Sequence, residues 1–126
     1  MIRMTALAVA LALGACTTAP IVEAHIRADG LAKLGQPTGV ARLVVTPKAL
    51  IEDSRCPINA RCIWAGRVVL RSQIDGAGWR ETRDLVLGEP QSVRGSRIAL
   101  TSARPDKQTG VAVPPSAYLF GFEGGR

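Results

Sequence analysis

The segment from Arg67 to Gly88, RVVLRSQIDGAGWRETRDLVLG, constrains the fold of this chain most. Together with Trp64 just before it, Val68, Leu70 and Ile74 recur at even spacing, while Arg67, Arg71 and Gln73 take the alternate positions. Side chains of a strand point by turns to its two faces, so this alternation specifies a half-buried strand with Trp64 on its core side. Asp75-Gly76-Ala77-Gly78 is a turn by its residue types, and the partner strand runs from Trp79 to Gly88 until Glu89-Pro90 ends it. The pair predicts an antiparallel hairpin closed by a loop longer than two residues.

The rest of the chain extends the pattern. Ala41, Leu43 and Val45 alternate with Arg42, Val44 and Thr46, and Pro47 is expected to break that strand. Ser96 to Thr101 (SRIALT) is a further short strand, and the proline-bearing ARPDKQTGVAVPPS after it suits a long connection. In the closing AYLFGFE, the residues Tyr118, Phe120 and Phe122 form a stripe at period two that faces a core. Thirteen glycines and eight prolines leave little room for long helices, and 126 residues with 47% hydrophobic content suffice for one core. The expected fold is all-β: a small antiparallel β-sandwich or open barrel of five to six short strands, one domain over residues 31–126.

The N-terminus speaks of address. MIRMTALAVALALGA carries one early charge, Arg3, then an apolar run too short for a bilayer that needs about 20 apolar residues, and it ends in small residues. Leu13-Gly14-Ala15-Cys16 resembles the lipobox of bacterial lipoproteins, in which a peptidase cuts just ahead of a lipidated cysteine. The resemblance implies a signal peptide over 1–15, lipidation at Cys16, and a flexible tether over 16–30. A cut after Ala10-Leu11-Ala12 is the alternative, and it leaves Cys16 as a thiol. Three cysteines are an odd number, and lipid on Cys16 leaves Cys56 and Cys62 as a pair. Thr17 after the cysteine, by likeness to sorted lipoproteins, implies the outer membrane and its periplasmic face.

A formal charge of +6 admits anionic partners. In a periplasmic compartment these are anionic envelope components, lipid headgroups or an envelope protein, and not nucleic acid; Arg67 and Arg71 form the basic strand face that would meet them.

Glu52 to Gly66, EDSRCPINARCIWAG, is the densest run of unusual choices. It resembles a group of small secreted bacterial proteins, many with lipoprotein signals, that share E-D-S-R-C-P, four residues, then C-[IV]-W-A-G. The likeness extends more weakly over about Leu31 to Phe122 and implies the fold and the envelope address without an activity. Closing the ring between Cys56 and Cys62 would contribute about 2.4 kcal/mol. Pro57 stiffens it, Arg55 has Asp53 or the face of Trp64 as partner, and Ala65 and Gly66 leave room for an indole directed into the core.

Other chemistries lack parts. Five residues between the cysteines do not make the short motif of thiol catalysts. The only histidine, His25, falls in the tether, which removes both a zinc ligand set and a Ser-His-Asp base. Glu52 and Asp53 remain as paired carboxylates without a visible pocket. No catalytic residue, metal or cofactor is expected. The expected function is a non-enzymatic binding or structural component of the envelope, with Asp53, Arg55, Arg61 and Trp64 as its candidate binding loop. The alternative is a protease inhibitor that presents Arg61 on the disulfide ring.

Overall fold

The computed structural model describes residues 26–125 and the isolated Gly14. Cys16, His25 and the expected signal peptide, apart from Gly14, lie outside the described residues. The described chain forms strands β1 (Leu31–Ala32), β2 (Thr38–Val40), β3 (Leu43–Asp53), β4 (Val68–Gly76), β5 (Trp79–Val86), β6 (Gln91–Val93), β7 (Ser96–Arg104) and β8 (Leu119–Gly125), with one 3₁₀ turn at Pro115–Ala117. They make two four-stranded antiparallel sheets, ordered β2-β3-β4-β5 and β1-β8-β7-β6. The all-β expectation holds. The strand number exceeds five to six because β1, β2 and β6 have only two or three residues each, too few to show alternation.

The two inner faces close on each other. Val45, Val68, Leu70, Ile74 and Leu85 come from the first sheet, and Ile98, Leu100, Ala103, Phe120 and Phe122 from the second, all buried. Each large side chain taken out of water contributes about 1.5–3 kcal/mol. The C-terminal aromatic stripe sits as its period requires: Tyr118, Phe120 and Phe122 are buried, with the first two rings stacked at a centroid distance of 5.7 Å.

Three local expectations are corrected. The β4–β5 hairpin closes with two residues, Ala77 and Gly78, because pairing continues to Gly76 opposite Trp79. Gly78 takes φ 77°, a conformation that suits glycine. Gly76 belongs to the strand, where its missing side chain lets the Trp79 indole lie across it. Pro47 does not end β3: β2 reaches only Val45 of its neighbour, so the absent N–H falls where that edge is free, and a register shift follows at once. Its carbonyl accepts from the Gly35 N–H at 2.7 Å. Ala41 is no strand residue but half of a two-residue turn, with φ 54°.

The sheet edges are handled unequally. β5 is the only edge strand longer than three residues among the described ones. On its core side Glu81 pairs with Arg83 and Arg94, whose guanidinium covers the Trp79 ring at 5.0 Å. On its outer side Asp84 binds Arg71 of β4 at 3.0 Å.

Among the described residues, one buried side-chain polar atom lacks a partner. Ser72 is fully buried on the inner face of β4, opposite Pro47, and its Oγ has no hydrogen bond. Desolvating such a hydroxyl costs about 1–3 kcal/mol. Ser72→Ala is expected to raise the melting temperature by several degrees, ~4–8 °C per kcal/mol recovered. A thermal melt that shows a drop instead would mean that the hydroxyl is satisfied within the fold.

Candidate functional site

β3 and β4 are joined by residues 54–67, and β7 and β8 by residues 105–118, so the two long connections meet at one end of the sandwich. Asp53, the last residue of β3, faces Val68, whose side chain is in the core; its carboxylate therefore points between the sheets. Arg55 donates to both of its oxygens, from Nε to Oδ1 and from Nη2 to Oδ2, each at 2.9 Å. Tyr118 Oη, from the end of the second connection just before β8, donates to Oδ2 at 2.7 Å. Arg55 also donates from Nη1 to the Ala103 carbonyl at 2.8 Å and from Nη2 to the Pro105 carbonyl at 3.1 Å. Lys107 Nζ adds a bond to the Asp53 carbonyl at 2.8 Å. One carboxylate, 6% exposed, thus fastens both sheets and both loops, with Arg55 17% exposed beside it.

Burial pushes the Asp53 carboxyl upward, but the hydrogen bonds from Arg55 and then Tyr118 outweigh it and hold the group below the usual carboxylate range. Burial, followed by the bond to Asp53, raises the Tyr118 phenol.

Beyond this latch lies the ring. Cys56 and Cys62 are bonded, with their Cα atoms 5.8 Å apart. A turn runs inside it, the Ala60 N–H reaching the Pro57 carbonyl at 3.1 Å. The second connection straps it down: the Ile58 N–H donates to the Lys107 carbonyl at 2.9 Å, and the Thr109 N–H to Asn59 Oδ1 at 2.8 Å. At the neck, the Ser54 N–H donates to the Arg67 carbonyl at 2.8 Å and the Arg67 N–H to Ser54 Oγ at 3.0 Å. Gly66 makes this neck possible, since a Cβ there would stand 1.6 Å from the Ser54 carbonyl oxygen. Its role is backbone approach, not room for an indole.

Trp64 does not enter the core. It is 62% exposed, and Ile63 before it is 99% exposed. The chain between the ring and β4 is not strand, and it resumes strand geometry only at Val68. Period two therefore does not carry back from β4 to residue 64. Ile58 and Val111 are exposed at the same end, as is Arg61, which has no hydrogen bond or ion pair among the described residues.

The candidate binding residues thus divide: Asp53 and Arg55 are the latch, while Arg61 and Trp64 stand at the tip. Sequence reasoning missed Tyr118 and Lys107 as latch partners and Ile58 and Ile63 as tip residues. The signal for the tip is an Ile-Trp pair beside a small-residue neck, of which the expectation placed Trp64 in the core. Glu52 pairs outward with Arg67 while Asp53 points inward, so the two carboxylates share no site for acid–base work. Arg67 and Arg71 are both ion-paired, which neutralises much of the expected basic face. Among the described residues no group of three or more His, Cys, Asp or Glu side chains could hold a metal ion.

Comparison with family models, with curated proteins and with solved structures returns no match for this chain.

A carboxylate held below its usual range stabilises the fold above its unfolded pKa of about 3.9, and this contribution is lost as pH falls through the folded value. Asp53→Asn is expected to cost about 2–4 kcal/mol at pH 7, because Arg55 is left without its charge partner. The deficit should begin to shrink on acidification below about pH 4, where the unfolded chain takes up the proton, and should vanish only below the lowered folded value, where Asp53 is neutral in the fold as well. Urea melts of the two proteins across that range check this, and a deficit that stays constant with pH would remove the charge from the account.

Proposed function

We propose that this chain is an outer-membrane lipoprotein whose β domain, held at the periplasmic face by lipid on Cys16, acts as a non-enzymatic binding component with the disulfide ring as its contact end. One observation carries the reading: the ring is fixed at its neck, by its disulfide and by the strap from residues 107–109, yet it leaves Ile58, Ile63, Trp64 and Arg61 in solvent. A folded domain gains nothing for its own stability from apolar side chains held outside the core, and clustered exposure of this kind marks contact surfaces. Rigidity favours contact too, because less freedom is lost on docking.

The inhibitor alternative has the free Arg61 side chain in its favour. Against it, a turn at Pro57–Ala60 precedes Arg61 and bends at Ile63 and Trp64 follow it, so the ring does not offer the extended segment that a protease cleft accepts. Arg61→Ala is accordingly expected to leave any effect on a trypsin-like protease unchanged, and a loss of inhibition with an unaltered melting temperature would restore that alternative.

The address is tested by fractionation. Wild-type protein should sediment with outer membranes and begin at an acylated Cys16, and Cys16→Ser should release it or leave it unprocessed. A soluble wild-type protein with a free thiol at Cys16 would overturn the lipoprotein reading.

A further inference from the structure

The tip and the tether stand at opposite ends of the domain. Arg27 is joined to Thr38 by an isolated bridge, and Thr38 lies opposite Val45. Val45 faces Ile74 of β4, whereas Asp53, where the ring connection starts, faces Val68. The six residues from Ile74 to Val68 cover about 20 Å along the strand. The expected tether of 16–30 is shorter at its far end, since the Arg27 carbonyl accepts from the Gly39 N–H and the Gly30 carbonyl from the Phe122 N–H; ten residues separate Cys16 from Arg27, and an extended chain of that length reaches at most about 33–36 Å. The tether therefore exceeds the strand distance by roughly 13 Å, enough for the domain to turn its ring toward the leaflet that holds Cys16. A markedly shorter tether would forbid this.

Resting on the lipoprotein reading above, we infer that the ring is a second membrane contact: Ile58, Ile63 and Trp64 enter the headgroup region of an anionic phospholipid bilayer while Arg61 meets lipid phosphate. The residue types fit that interface. Trp is favoured where an apolar ring meets a polar boundary, and Ile63 and Ile58 present exposed aliphatic surface. Arg61 is charged, exposed and unpaired among the described residues, and the mature chain, without Arg3 of the signal peptide, is cationic at +5, matching a negative lipid surface. Three apolar side chains bind a bilayer weakly on their own. A domain already tethered to that bilayer meets it at an effective concentration in the millimolar range, so a weak contact suffices to fix its orientation. The ring then decides how the domain stands, and the acyl chains decide that it stays.

The test uses the mature lipidated chain reconstituted into vesicles of phosphatidylethanolamine and phosphatidylglycerol, with and without bromine on the acyl chains. The protein has two tryptophans, and Trp64→Phe leaves Trp79 as the internal control. Wild-type emission should fall in brominated vesicles, Trp64→Phe emission should not, and Ile63→Asp should abolish the quenching without loss of flotation. If the protein floats with the vesicles but wild-type emission is the same in both, the tip stays in water; the inference fails and the anchor stands. Failure to float at all overturns both. A photo-reactive residue in place of Ile63 adds a second readout in whole envelopes: adducts with lipid support the contact, and a discrete protein adduct assigns the tip to a protein partner and overturns it.

Discussion

A charged carboxylate between two sheets is tolerable only if its lone pairs are answered, and two residues, Arg55 and Tyr118, answer those of Asp53. Arg55 neutralises it within its own loop, Tyr118 reaches it from the other connection, and the remaining Arg55 donor groups bind carbonyls at the end of β7 and just beyond it. The apolar core alone would hold the two sheets together without specifying how their ends meet. This polar knot does specify it, since the bonds form only when the two long connections lie side by side. The ring beyond it inherits that order: its strap to Lys107 and Thr109 starts from a chain already positioned at Ala103 and Pro105.

The run from Glu52 to Gly66 therefore serves two ends with adjacent residues. Glu52, Asp53, Ser54, Arg55 and Gly66 build a base, by ion pair, latch, neck and close backbone approach. Cys56 to Trp64 build what the base supports. An acid next to an acid looks redundant in a sequence; in the fold one faces solvent and the other the core, because neighbours on a strand take opposite faces.

Much of the fold was legible wherever residues obey period two within a strand. Tyr118, Phe120 and Phe122, and likewise Val68, Leu70 and Ile74, lie where alternation puts them. Legibility failed where the rule was carried beyond a strand, as with Trp64, or where a single residue outweighed its usual meaning. Pro47 sits in β3 because its neighbour strand has already ended, which is a fact of register and invisible in a linear chain. The Arg94-Gly95 turn, with φ of 47° and 81°, is a tight hairpin without the Asn-Gly that normally announces one. The latch was half legible: Asp53 and Arg55 stood out together, but Tyr118 is 65 residues away from Asp53 and meets it only through the tertiary fold.

The charges along β5 bear on what happens when many copies meet. A sheet edge offers unpaired amide and carbonyl groups to any passing strand, and most edges here are too short to template one. β5 is long enough. To extend the sheet there, a neighbour would have to strip water from Glu81, Arg83 and Arg94 on one side and from Arg71 and Asp84 on the other. These pairs contribute little to the stability of an isolated molecule, as exposed ion pairs generally do. Their value is colloidal: they make edge-to-edge polymerisation costly, so that crowding of the domain is met by repulsion and hydration in place of a growing fibril.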